Sequence, residues 1–271
     1  MNKTILITGT STGLGRATAK HFQSQGWNVI ATMRTPSHEI ELTQLERTLV
    51  TRLDVQDITS IKSAVDAGLA KFGRIDALVN NAGYGAYGPL EATPLEKIRR
   101  QFEVNVLGLL ATTQALLPHF RANRSGTIVN ISSIGGLMAF PLGTLYHGTK
   151  FAVEGLSESL HYELAPLRIR VKVIEPGGIK TDFGGRSFDF SNDAALTEYQ
   201  PLVQSLFNVM GPMMANASSP EQIAEVVYAA ATDGTDQLRY EAGADAVQIL
   251  ANRRSVDDRT FFAGMQAQFG G

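Results

Sequence analysis

Short β-branched runs alternate with longer amphipathic segments along most of this chain, and that alternation leaves few folds open. "TILIT" reads as a first strand, followed by a helix over "GRATAKHFQSQ". "WNVIATM" and "TLVTRLD" are the next two strands, and "SIKSAVDAGLAKF" is a helix. "RIDALVN" is the fourth strand, "PLEKIRRQFEVNVLGLLATTQALLPHF" one long helix, and "GTIVNIS" the fifth strand. "TLYHGTKFAVEGLSESLHYELAP" is a second long helix and "IRVKVIEP" the sixth strand. Strands that alternate with helices imply right-handed crossovers and a parallel sheet covered on both faces. The near-continuous apolar character of most strands agrees, because such strands are buried on both sides. The expected architecture is α/β: a doubly wound parallel sheet of about seven strands with helices on both faces.

No repeat or low-complexity linker interrupts the pattern, so residues 1–271 are expected to form a single domain. One segment departs from it. From Phe183 to about Ser219 no strand is predicted, and an irregular stretch that long inside a compact domain is usually functional. A chain of 271 residues buries enough surface to need no disulfide or metal staple. It has no cysteine, which suits a reducing compartment and removes thiolate zinc sites and cysteine nucleophiles. The five histidines show no metal-ligand spacing, and no metal is expected. The formal net charge of −2, with no run of like charge, gives no support for a nucleic-acid or membrane-surface role. The run Ile5-Leu6-Ile7 is too short for a signal-peptide core or a membrane span, so the expected location is cytoplasmic.

"ITGTSTGLGRATA" joins the first strand to the first helix and places Gly9, Gly13 and Gly15 in the loop. Glycine permits the tight turn and lets a ligand approach the backbone without a Cβ in the way. The helix N-terminus then offers free N–H groups and partial positive charge to a pyrophosphate. A glycine-rich turn without a ligand would look the same in isolation; the strand-loop-helix context favours the phosphate reading.

Preceded by Thr8, the G-x-x-x-G-x-G spacing resembles the short-chain dehydrogenase/reductase family in its compact single-domain, Rossmann-type branch. The resemblance implies that Ser11, Thr12 and Leu14 contact the cofactor together with the three glycines. "RLDVQD" resembles the adenine-contacting pair, here Asp54 and Val55, and "VNNAGYG" the segment flanking the adenosine, here Asn81, Ala82 and Gly83. "VIEPGGIKTDF" resembles the nicotinamide-contacting segment, with Pro176, Gly177, Ile179 and Thr181, which implies hydride transfer from the pro-S face. NAD enzymes usually carry an acid after the second strand; here "ATMRTP" has Met33 and Arg34 and no acid. A guanidinium attracts the extra phosphate of NADP, so NADP(H) is expected over NAD(H).

Tyr146 and Lys150 stand four residues apart in a predicted helix, which puts them on one face. With Asn105 in "FEVNVLG" and Ser133 in "NISSIGG" they match the family's catalytic tetrad. Ser132 competes with Ser133; the family's thirteen-residue offset to the tyrosine selects Ser133. Hydride delivered to a ketone leaves an alkoxide that must take a proton. Tyr146 is read as the proton donor, Lys150 as a charge that lowers its pKa and binds the nicotinamide ribose, and Ser133 as a donor to the carbonyl oxygen. By resemblance, Asn105 helps hold a water that continues the proton relay.

Residues 183–219 fall where the family places a substrate lid. They offer Phe183, Phe188, Phe190, Leu206, Phe207, Met210, Met213 and Met214, with Gly184-Gly185 as a hinge. Tyr84, Leu137 and Phe140 are expected on the opposite wall, giving a substrate pocket of Tyr84, Ser133, Leu137, Phe140 and Phe183. The expected activity is NADP(H)-dependent hydride transfer between the nicotinamide and a hydrophobic ketone or secondary alcohol. The tail from Leu238 on resembles a subgroup that includes steroid- and retinol-type dehydrogenases and bacterial carbonyl reductases, and the family usually forms dimers or tetramers through its two long helices. A cofactor-binding sensor without turnover is the alternative; such proteins commonly lose the Tyr/Lys pair, which is intact here. A sugar-nucleotide epimerase relative would have a differently spaced glycine loop and a larger C-terminal domain.

Overall fold

In the computed structural model, which describes residues 2–181, 187–215 and 217–270, seven parallel strands form one sheet in the order β3-β2-β1-β4-β6-β7-β9. The strands are β1 (Thr4–Ile7), β2 (Asn28–Met33), β3 (Thr48–Arg52), β4 (Ala77–Asn80), β6 (Gly126–Ile131), β7 (Ile169–Pro176) and β9 (Arg239–Ala242). Helices α1 (Gly13–Ser24) and α7 (Pro220–Thr232) pack on one face; α2 (Ile58–Phe72), α4 (Gly108–Asn123) and α5 (Thr144–Leu164) cover the other. Strand alternation divides the core between the faces. Ile5 and Ile7 point with Val29, Val79 and Val129 toward Phe22, Ile223 and Val227. Leu6, Ile30, Leu78 and Ile128 point the other way, toward Ile61, Leu116, Phe120 and Leu164. The sheet is doubly wound and the chain is a single domain. Among the described residues no helix is long and apolar enough to cross a membrane.

Three features differ from the expectations. The long helix is not continuous: α3 (Leu95–Phe102) passes through a π turn at Glu103–Leu107 before α4 begins, with Gly108 N–H bonded to Glu103 C=O. Propensity does not distinguish this turn from α-helix; packing does. Asn105 inside it is buried, its amide clamped to the loop after β4, and a π turn is how a helix turns one side chain inward without ending.

The seventh strand was not located from the sequence. β9 reads "RYEA", too polar for a doubly buried strand, because it is an edge that pairs only with β7 and keeps Arg239 and Glu241 in ion pairs. The 183–219 segment also contains a strand where none was predicted. β8 (Phe188–Phe190) pairs in parallel with β5 (Gly85–Tyr87) as a separate two-stranded sheet. Three residues are too few for a periodic signal, and the pairing is carried by rings: Phe188 lies 5.2 Å from Tyr87 and 5.8 Å from Phe190, centroid to centroid. Helix α6 (Gln200–Ala215) follows, and the chain ends in α8 (Ala244–Ser255) and α9 (Asp258–Phe269).

Candidate active site

The glycine loop is built against the turn after β4. Thr8 Oγ1 accepts hydrogen bonds from the backbone N–H groups of Asn81 and Ala82, each at 3.0 Å. Asn81 Nδ2 donates back to the carbonyls of Thr8 and Gly9 at 2.8 and 3.1 Å. Gly9 and Gly13 hold φ of +71° and +54°, and a Cβ at Gly15 would stand 2.3 Å from the Gly9 carbonyl oxygen. These positions require glycine. The loop leads into α1, whose N-cap Thr12 makes no side-chain cap and whose first turn carries no acid. The first N–H groups of α1 are therefore left to an anion. A pyrophosphate fits this cradle.

The loop opens on a cleft of about 570 Å³ at the carboxyl ends of the sheet strands. Every residue the sequence assigns to the cofactor borders it, from Gly9 through Arg34, Asp54 and Asn81 to Thr181. The two halves of the cradle touch: a Cβ at Gly13 would meet Thr181 Cγ2 at 3.1 Å. Arg34 is exposed at the cleft, one residue past β2. The nearest acids along the chain are turned elsewhere, Glu39 to Arg16 and Glu41 to Arg16 and Lys20.

Ser133, Tyr146 and Lys150 meet on one wall, from the loop after β6 and the first two turns of α5. Ser133 Oγ accepts from Gly135 N–H at 3.0 Å, which fixes its direction, and hydrogen-bonds Tyr146. Ser132 instead faces Glu154. Lys150 is buried; its Nζ donates to the Ile131 carbonyl at 2.8 Å and lies 5.7 Å from the Tyr146 ring centroid. Burial pushes the Lys150 pKa down to about 8, with Glu154 opposing. Burial also pushes the Tyr146 phenol up, and the Ser133 hydrogen bond only partly reverses it. In the protein alone desolvation of the phenolate is the larger effect on Tyr146; the expected lowering draws on Lys150 and the nicotinamide charge together.

Asn105 does not border the cleft. Its Oδ1 accepts from Tyr84 N–H at 3.1 Å and its Nδ2 donates to the Tyr84 carbonyl at 2.9 Å and to Thr149 Oγ1 at 3.2 Å. The side chain is committed to holding Tyr84 against α5. Leu137 is also misplaced by the sequence reading: it packs with Ile134, Met138 and Leu250 in a satellite core under α8. Phe183 and the Gly184–Gly185 hinge lie outside the described residues.

At the apolar end, Tyr84 and Phe140 face Phe188, Leu206, Met210, Met213 and Met214 across the cleft. Phe190 and Phe207 do not border it; they pack on one another behind, 5.1 Å apart. Tyr87, His147 and Phe269 are among the lining residues that the sequence reading does not single out. Tyr87 lies 5.4 Å from the Tyr146 ring, and its signal, an aromatic just past "NNAGYG", was readable. His147 is buried beside Tyr146. Its Nε2 accepts from Phe140 N–H at 3.0 Å and its Nδ1 bonds the Gly135 carbonyl at 3.0 Å. Burial lowers its pKa, consistent with a neutral ring that uses both nitrogens. Phe269, from the last helix, gave no signal.

Fold and site together define an α/β oxidoreductase built to hold a dinucleotide at the carboxyl edge of a parallel sheet. The comparisons make the class specific. Residues 3–191 match the family described as short chain dehydrogenase, and the chain belongs to that family. An uncharacterized oxidoreductase of Schizosaccharomyces pombe is 45% identical over 238 residues, covering 88% of this chain and 100% of that protein. The crystal structure of a short-chain dehydrogenase from Streptomyces avermitilis shares 35% identity at a TM-score of 0.82, covering 94% of this chain and 93% of that one. ElxO with NADP bound is 28% identical at a TM-score of 0.71, over 89% of this chain and 98% of its own. A 3-ketoacyl-(acyl-carrier-protein) reductase from Brucella melitensis complexed with NADH is 27% identical at 0.73, over 89% and 97%. The protein is an oxidoreductase of this family, and its cofactor is a nicotinamide dinucleotide.

Proposed function

We propose that this protein is an NADP(H)-dependent reductase of hydrophobic ketones, working reversibly on the matching secondary alcohols. The observation that carries the reading is Tyr146, hydrogen-bonded to Ser133, on the wall of the cleft that the glycine loop opens on. A nicotinamide bound there supplies or accepts the hydride. Ser133 donates to the carbonyl oxygen as negative charge develops on it, and Tyr146 gives that oxygen its proton. Burial holds the phenol in its acid form, the form that reduction needs. Lys150 places a positive charge behind the phenol, which stabilises the phenolate left when Tyr146 has given its proton. Asn105 acts by position, fixing the Tyr84 backbone at the mouth of the pocket.

Gly9, Gly13, Gly15 and the start of α1 hold the pyrophosphate; Asp54, Val55 and Asn81 to Gly83 hold the adenosine side. Arg34, cationic and unpaired with any acid among the described residues, selects the 2′-phosphate. Pro176 to Thr181 close on the nicotinamide. Residues 183–219 act as the substrate lid, supported by the Phe188, Leu206 and methionine side chains over the cleft, which suit a bulky apolar molecule. Exposed Phe102, Leu107 and Phe151 on α3, the π turn and α5 support a dimer or tetramer built on the long helices. The cysteine-free composition suits the cytoplasm.

The test is consumption of NADPH and NADH, side by side, against aliphatic, aromatic and steroidal ketones. Turnover of bulky apolar ketones with NADPH is expected, and Tyr146→Phe should abolish it while NADPH still binds. Tight NADPH binding with no turnover of any ketone would overturn the reading in favour of a sensor.

A further inference from the structure

Two buried carboxylates lie behind Lys150, and the chemistry above uses neither. Glu154 follows Lys150 by one turn on the same face of α5. Glu175 is fully buried on β7, immediately before Pro176. Arg239 of β9 reaches both: its Nε is 3.1 Å from Glu154 Oε2 and 3.5 Å from Glu175 Oε1. Only the first is a hydrogen bond, because Nε–H carries one proton and aims it at Glu154. Arg239 Nη2 donates to Glu158 at 2.6 Å. Glu175 thus has a cation nearby and no donor. Both its oxygens are buried without a hydrogen-bond partner, and so is Oε1 of Glu154.

An ionised carboxylate left without donors in such a place is strongly disfavoured. A proton on Glu175 removes the buried charge. It also turns one of the two orphaned Glu175 oxygens from an acceptor without a donor into a hydroxyl. We propose that Glu154 and Glu175 form a pair that holds one proton, Glu175 neutral and Glu154 ionised, and that the charge left on Glu154 keeps Lys150 protonated behind Tyr146. The proposal rests on the reading of Lys150 as a working cation; within it Glu154 and Glu175 are positioning residues that act through Lys150.

The surroundings agree. The charged groups facing the pair are Lys150 and Glu158 on α5, Arg239 and Glu241 on β9, and Arg254 on α8. Glu241 is the register partner of Glu175 across the β7–β9 pairing, so a second carboxylate further discourages ionisation of Glu175; Arg254 pairs with Glu241 and only partly offsets it. Burial, then Glu154, raise Glu175 to about 7. Glu154 is also raised by burial, but Ser132, Arg239 and Lys150 all act to keep it ionised. For Lys150, Glu154 is the charge that resists the downward push of burial.

The test follows the Cε resonance of Lys150 in ¹³C-lysine-labelled full-length protein through a pH titration, assigned by its loss in Lys150→Met. Glu154→Gln should lower the Lys150 midpoint by about one pH unit or more. Glu175→Gln should leave it unchanged, because glutamine copies a neutral acid. An unmoved midpoint in Glu154→Gln, or an equal fall in Glu175→Gln, overturns the proposal. Infrared spectra give a second decision if Glu154→Gln does not fold. Wild-type protein at about pH 6 should show a buried protonated-carboxyl C=O band that Glu175→Gln removes; its absence from the wild type refutes the pair. Neither readout needs turnover. An inactive enzyme would sink the ketone-reductase reading and leave the proton-sharing pair to be judged on its own data.

Discussion

Lys150 is expected to weaken the fold that carries it. Its pKa falls from the ordinary 10.5 to about 8 because burial disfavours the ammonium. At roughly 1.4 kcal/mol per pH unit, keeping it charged at pH 7 costs the native state about 3 kcal/mol. Lys150→Met keeps the length and apolar stem and removes the charge. It also strips the Ile131 carbonyl of its 2.8 Å donor, which costs back about 1–3 kcal/mol. The net expectation is a variant about as stable as wild type, or more stable by up to about 2 kcal/mol, at pH 7, and without reductase activity. The sign with pH is the sharper test. A folded pKa below the unfolded one means the native state binds fewer protons between about 8 and 10.5, so wild-type stability rises with pH through that window relative to the variant. Urea unfolding at pH 7 and near pH 10 should show wild type gaining on Lys150→Met by about 2–3 kcal/mol. A stability difference that does not change with pH would refute the argument that burial disfavours the Lys150 ammonium more than its neighbours restore it.

Arg34→Asp should lower the NADPH-to-NADH preference by tenfold or more, in proportion to a lost charge-assisted contact of about 1.5–3 kcal/mol; an unchanged ratio of kcat/KM values would remove Arg34 as the selector. Gly15→Ala places a methyl 2.3 Å from the Gly9 carbonyl, so cofactor affinity should drop, with about 1–3 kcal/mol of stability, as read by fluorescence titration and thermal unfolding. His147→Leu should release the Gly135–Phe140 loop and reduce kcat more than cofactor affinity. His147→Gln, which keeps one donor and one acceptor, should retain most activity, and equal losses in the two variants would mean the ring acts by bulk alone.

Strands β1 to β7, leaving aside the short β5, could be read from the chain because each is an apolar run between polar helices, and the glycine loop because its spacing and context are both unusual. What escaped has physical reasons. β9 is polar because it is an edge strand, and β8 is three residues held by ring contacts with a strand a hundred residues earlier. Leu137 reads as a pocket residue by its position after Ser133, but α8 takes it into a separate core that only the folded chain reveals. His147 stands in the chain as one of five histidines without metal-ligand spacing; its two ring nitrogens are matched to backbone groups brought close by the loop ahead of α5. Spacing along a helix places Lys150 one turn from Tyr146, but it does not show how strongly the phenol is desolvated.

The π turn at Glu103–Leu107 makes the helix that carries Asn105 one residue longer than its α-helical path requires. Each residue of a helix turns its neighbours by about 100°. Deleting a single residue there would straighten the helix and leave it well formed, yet rotate everything before the deletion by more than a quarter turn. Either Gln101 would leave the Ala86 and Tyr84 backbone, or Val55 would lose its seat on Gly108. Length at this point is thus as constrained as residue identity. In a library of shuffled or recombined sequences, breakpoints inside Phe102–Gly108 should be the ones that yield folded chains with a disordered active-site mouth.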